Sequence, residues 1–266
     1  MLRNHLLGSV LTKAIRDWLL WTLVAIVTIV IIGAFYVLTM SAAGNDFVSI
    51  IDQMPEFVAN IYGNQDGTGA GLAMAGMYSL IGPIVLLAYA IGLGASAAVG
   101  EEEARTVPLL LMSPLRRRSI LVAKTAVVVL GVVVITVGMW LSMVVSSAIF
   151  GLDISSYDPF AASVQLIGMA LLFGALSLGI SAWRGSSALG VGVAAGVAVL
   201  SYFVTTMVPA VQQIADLARL TPWYLYSGAE ALYQGIDPLL LVIALGATAT
   251  FAVLGARSLD RRDLKG

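Results

Sequence analysis

Residues 101–124 read EEEARTVPLLLMSPLRRRSILVAK, the only dense block of charge between the two ends of the chain. Long uncharged runs flank it on both sides. An apolar run of about 20 residues is what a helix needs to cross the hydrocarbon core of a bilayer. The block therefore reads as a junction between two membrane spans, held in water by its own charges.

Composition agrees. Of 266 residues, 59% are hydrophobic and 11% charged, against roughly 45–50% and 25% in soluble domains. The apolar residues come in uninterrupted runs rather than stripes, so lipid and not one soluble core must take up most of that surface. The chain has no cysteine, which excludes disulfides, thiolate metal sites and cysteine nucleophiles. The single histidine is His5.

Reading outward from the junction predicts an all-α polytopic membrane protein with six spans at 18–40, 75–99, 121–149, 160–183, 188–208 and 238–256. The first of these, at 1.5 Å per residue, reaches roughly 35 Å, enough to cross. Residues 1–17 place Leu2, Leu6, Leu7, Val10, Leu11, Ala14 and Ile15 opposite His5, Ser9, Thr12, Lys13 and Arg16, the pattern of an amphipathic helix lying on the inner surface. Between spans one and two, Phe47, Ile50, Ile51, Met54, Phe57, Val58 and Ile61 suggest a second surface helix, and residues 63–71 (GNQDGTGAG) a flexible loop. Gly82-Pro83 should bend span two. Residues 210–237 carry a short stripe (Val211, Ile214, Ala215, Ala218) and aromatics (Trp223, Tyr224, Tyr226) that fit a re-entrant hairpin dipping into the outer leaflet.

On this layout every lysine and arginine except Arg219 falls on one side. The positive-inside rule then places both termini in the cytoplasm, in a multi-pass protein of the cell membrane. Six spans give the even parity this needs. Asp, Glu, Lys, Arg and His are missing from the depth of the spans, which argues against coupling to a proton or sodium gradient. There is no GxxxxGK[ST] loop either, so any ATP that drives the protein must be hydrolysed elsewhere. No carboxylate cluster with further ligands suggests a metal site.

Within the block, Glu101, Glu102 and Glu103 suit the start of a short helix, where the macrodipole favours acids. Leu109, Leu110, Leu111 and Met112 form an apolar cluster beside water that needs a lipid or protein cover. Ser113-Pro114 reads as an N-cap followed by a first-turn proline. Arg116, Arg117 and Arg118 face the anionic inner leaflet or an acidic partner. The plainer alternative is a basic anchor between two spans.

These residues resemble the ABC-2-type permease subunits of ABC transporters. Such subunits carry an acidic EEE stretch, a short apolar segment, S-P-L with basic residues, and a lysine entering the third span, here Glu101 to Thr106, Leu109 to Leu115, Arg116 to Ile120 and Lys124. Thr221 to Tyr224, Gly235-Ile236-Asp237 and the Arg261 to Leu264 tail extend the likeness toward the C-terminus. Val107-Pro108 departs from it, where relatives often have a leucine and an acidic residue. The resemblance implies a transport subunit, not an enzyme, that binds no cofactor itself, with ATP and Mg on a separate ABC ATPase partner. It further implies a second permease copy or paralogue, no nucleic acid, and a coupling helix in the 100–120 loop. The coupling residues would be Glu101 to Glu103, Arg105, Leu109 to Met112 and Arg116 to Arg118. Candidate residues along a substrate path in spans two and five are Met77, Tyr78, Tyr89, Tyr202, Thr205, Thr206 and Met207. The uncharged interior suits an amphipathic drug or lipid as exported cargo. The alternative function is a non-transporting scaffold or assembly factor with the same fold.

Overall fold

The uninterrupted apolar runs become long helices because, without water, a backbone in lipid must satisfy its own hydrogen bonds. A computed structural model describes residues 2–51, 53, 67–103, 117–207, 212–228 and 230–261. Among the described residues, six helices are long and apolar enough to cross a membrane: Leu19–Ala43, Gly69–Gly100, Ile120–Phe150, Tyr157–Arg184, Ser187–Met207 and Pro238–Leu259, here spans one to six. Between spans five and six lie a 3-10 helix, Gln212–Leu220, and two short α-helices, Tyr224–Ser227 and Ala231–Gln234.

The helix containing span one runs from Leu2 to Ile51, broken only at Ala43 (φ −139°, ψ 18°). Residues 2–17 thus extend span one without a break. The helix resumes beyond Ala43 where the second surface helix was expected, and residues 52 and 54–66 of that expectation lie outside the described residues. Span two starts earlier than composition suggests. Thr68 caps it, its Oγ1 accepting from the Gly71 N–H at 3.0 Å, and Gly71 to Ala75 are buried against span one. Packing there overrides the loop preference of glycine.

Span four is the central helix and the most buried of the six, while span six is the least buried. Lipid tails are as apolar as leucine, so helices associate in a bilayer by close approach of small residues and by interhelical hydrogen bonds. Both occur where spans two and four cross. A Cβ at Gly94 would lie 2.3 Å from the Gly174 carbonyl oxygen, and Ser177 Oγ donates to the Ile91 carbonyl at 2.9 Å. Span three meets span one likewise, Ser142 Oγ donating to the Val30 carbonyl at 3.0 Å.

The turns use local chemistry. Gly185, at φ 69°, closes span four by returning its N–H to the Ser181 carbonyl at 2.8 Å. Asp237 caps span six, its Oδ1 accepting from Leu239 N at 2.9 Å and Leu240 N at 3.0 Å, with Pro238 at the first helical position.

At one end of the bundle Ser41 Oγ donates to the Phe150 carbonyl at 2.6 Å and Trp140 Nε1 to the Ser156 carbonyl at 2.9 Å. The described charges at this end are Asp46, Asp153, Asp158, Asp216, Glu230 and Asp237, with Arg219 the one base. Lys124, Arg184 and Arg257 sit at the opposite end. The two are called below the acidic and basic ends.

Candidate functional site

At the basic end, the helix of span two continues to Glu103 and that of span three begins at Arg117. Both pass the apolar limits of their spans, Gly100 and Ile120, so each carries part of the charged block at its tip. Glu101, Glu102 and Glu103 therefore form the last turn of span two, not the first turn of a new helix. The correction has a simple cause: extending a helix already formed is easier than nucleating a new one, so the helix of span two carries through the three acids. Arg117 and Arg118 open the span-three helix. Arg105, Leu109, Leu110, Leu111, Met112, the Ser113-Pro114 cap and Arg116 lie outside the described residues. Lys124, at the foot of span three, is buried.

In the basic half of the bundle, a cavity of about 810 Å³ opens between spans one and two. Trp21, Val24 and Thr28 line one wall, and Ala88, Tyr89, Gly92 and Ser96 the other. Its size falls in the range of small-ligand pockets, roughly 300–1,000 Å³, and among the described residues no charged side chain lines it. Tyr89 and Thr22 share a hydrogen bond at 2.8 Å. The Tyr89 ring is held down because span three offers Gly131 beneath it; a Cβ there would meet the phenolic oxygen at 1.8 Å. The Thr28 hydroxyl has no hydrogen-bond partner among the described residues. A Cβ at Gly92 would meet nothing within 4 Å, so that glycine keeps the cavity open.

Toward the acidic end, the segment between spans five and six folds back into the bundle. Gln165 lies two turns into span four, roughly 12 Å along the helix from Tyr157 at 1.5 Å per residue, and its Nε2 donates to the Leu225 carbonyl at 2.9 Å. By Gly235 the chain has returned beside the Tyr157 hydroxyl at the head of span four. Residues 221–235 therefore dip inward and come back, in keeping with the expected hairpin. Thr221 and Thr205 of span five share a hydrogen bond at 2.6 Å. Trp223 meets Tyr202 edge to face, centroids 5.0 Å apart. Tyr226 donates to the Tyr78 carbonyl of span two at 2.7 Å, and the Tyr78 hydroxyl pairs with Ser163 Oγ at 2.9 Å. Burial, with a smaller contribution from Tyr78, pushes the Tyr226 phenol well above its ordinary range, so it stays a neutral donor. Gln165 Oε1 is buried without a partner among the described residues.

The structure divides the candidate path residues. Tyr89 lines the cavity. Tyr202 and Thr205 are half-buried against the re-entrant segment, Thr206 is half-buried one residue further along, and Met207 is exposed at the end of span five. Met77 and Tyr78, both 0% exposed, are packed in the core of the bundle. They lie in a wide π turn, Gly76–Ile81, that a regular helical register does not anticipate. Sequence reasoning missed Thr22, Thr28, Ser163 and Gln165. One signal was available: Gln165 is the only asparagine or glutamine within the six spans, and a polar side chain inside a membrane marks either packing glue or function.

Two comparisons with known proteins bear on this arrangement. The family model described as ABC-2 family transporter protein matches residues 11–264. A search among curated proteins finds no match.

Proposed function

The chain belongs to the ABC-2 family of transporter proteins and is a permease subunit of an ABC transporter; from that premise we propose that it is half of a dimeric exporter of amphipathic small molecules, driven by separate ABC ATPase subunits. The basic end faces the cytoplasm, as do both termini, because cytoplasmic loops retain lysine and arginine. The ATPases grip the charged block at that end. When they close on ATP they pull on residues 105–112, and spans one, two and five shift between inward-open and outward-open arrangements. Energetically this is a population shift, and the partner can move it only by its differential affinity for the two states. ATP and Mg act on the partner, not on this chain.

The observation that carries the cargo class is the uncharged cavity between spans one and two. It offers an apolar wall with hydroxyls at Tyr89, Thr28 and Ser96, suited to a molecule with an apolar body and a hydrogen-bonding head. With no charged side chain lining it among the described residues, the cavity offers little to a bare ion.

The test uses the permease reconstituted with its ATPase in liposomes and a fluorescent amphipathic dye as probe. Replacing Leu110 and Leu111 with glutamate should abolish dye-stimulated ATP hydrolysis and ATP-driven dye movement, with membrane insertion unchanged. Survival of both activities would overturn the coupling assignment. A wild-type complex whose ATPase ignores every amphipathic probe would favour the scaffold reading.

A further inference from the structure

Span two carries Pro83, and a proline inside a helix removes one N–H donor and clashes with the preceding turn. The π turn at Gly76–Ile81 absorbs that clash and fixes which carbonyl goes without a partner. Gly82 N–H, the ordinary α-helical donor for the Tyr78 carbonyl, instead bonds to the Met77 carbonyl. In the wide register the next donor for Tyr78 would be residue 83, which is proline. Both helical donors of the Tyr78 carbonyl are therefore lost, at a residue that is 0% exposed. An unpaired carbonyl at that depth is costly, since no water is at hand. The Tyr226 hydroxyl fills the vacancy at 2.7 Å, from a residue 148 positions further along the chain.

We propose that Tyr226 acts as the missing backbone donor of span two, and that the re-entrant segment is a latch whose docking and the π turn of span two hold each other in place. Three spans converge on this latch. Tyr226 pins span two, Gln165 pins span four through the Leu225 carbonyl, and Thr221 pins span five through Thr205. Separation of spans two and five at the acidic end must break one of these pins or carry the segment along. If span two straightens to regular α geometry, Gly82 N–H returns to the Tyr78 carbonyl and Tyr226 loses its acceptor. The latch then has two states: docked with the π turn, or released with an α turn. On the exporter reading, on which this role in transport rests, release is the opening of the acidic end.

The experiment reads the latch without ATP, cargo or transport, so its failure is separate from failure of the exporter reading. The chain contains no cysteine, so Ala231→Cys, at a position 6% exposed in the docked segment, gives a single reporter. Its reaction with a polar maleimide is followed in nanodiscs for four proteins: the reporter alone, with Tyr226→Phe, with Pro83→Ala, and with both. Tyr226→Phe keeps the ring and removes only the donor, and should speed labelling about tenfold, the equivalent of one lost hydrogen bond to a buried carbonyl. Pro83→Ala supplies the helix with its own donor, so adding Tyr226→Phe to it should change the rate less than about twofold. No acceleration by Tyr226→Phe in the Pro83 background would overturn the proposal. Equal acceleration with and without Pro83 would also overturn it, because Tyr226 would then be packing rather than serving the carbonyl. Monodisperse elution of all four proteins confirms that folding is not what is read.

Discussion

Two glycines two residues apart in span two should respond to the same substitution with opposite sign. At Gly94 a Cβ would lie 2.3 Å from the carbonyl oxygen of Gly174. That oxygen belongs to the backbone of the central helix and cannot rotate away, so the helices must part by roughly 1 Å to restore ordinary contact. The Ser177 to Ile91 hydrogen bond, now 2.9 Å, would stretch beyond bonding reach, a loss of about 1 kcal/mol. Overpacking at such a crossing costs roughly 1–3 kcal/mol. Against this, alanine is the better helix former by about 1 kcal/mol. Gly94→Ala should therefore destabilise the bundle by about 1–3 kcal/mol. Gly92 faces the cavity with nothing within 4 Å, so Gly92→Ala keeps only the helical gain, up to about 1 kcal/mol. Equilibrium unfolding of both variants in mixed micelles, titrated with a denaturing detergent, measures the difference directly. If Gly94→Ala proves as stable as Gly92→Ala, spans two and four do not cross at Gly94 and Gly174 as described.

A larger residue at the open glycine tests the cavity itself: Gly92→Phe should leave stability within about 0.5 kcal/mol of wild type, as substitutions without a packing penalty do. Dye-stimulated ATP hydrolysis should meanwhile fall at least about tenfold, the equivalent of 1.4 kcal/mol of lost binding, and undiminished stimulation would remove the cavity from the path. At the mouth of span six, Asp237→Ala should cost about 1 kcal/mol in the same unfolding titration, since Oδ1 serves two orphan donors. Asp237→Asn, which keeps an acceptor, should recover most of it.

How far the chain could be read in advance follows from how local each cause is. The six spans were legible because apolar length alone decides them. The start of span two was misjudged since Thr68 and the glycines after it suit a loop equally well until span one covers them. Glu101 to Glu103 were assigned to a helix start on electrostatic preference, which is worth only about 0.3–1 kcal/mol at an exposed end and yields to the continuity of a long helix. The bend at Gly82-Pro83 was legible as a disturbance but not in its form. Proline says that a carbonyl upstream loses its donor; it does not say whether the helix kinks, widens or finds a substitute. Here it widens, and the substitute comes from Tyr226, which from sequence looked like one more interfacial aromatic. The same holds for Met77 and Tyr78, whose burial in a π turn is not written in their spacing. What a sequence cannot display is a hydrogen bond whose two halves are each explained by something else, and that kind of bond ties the re-entrant segment to span two.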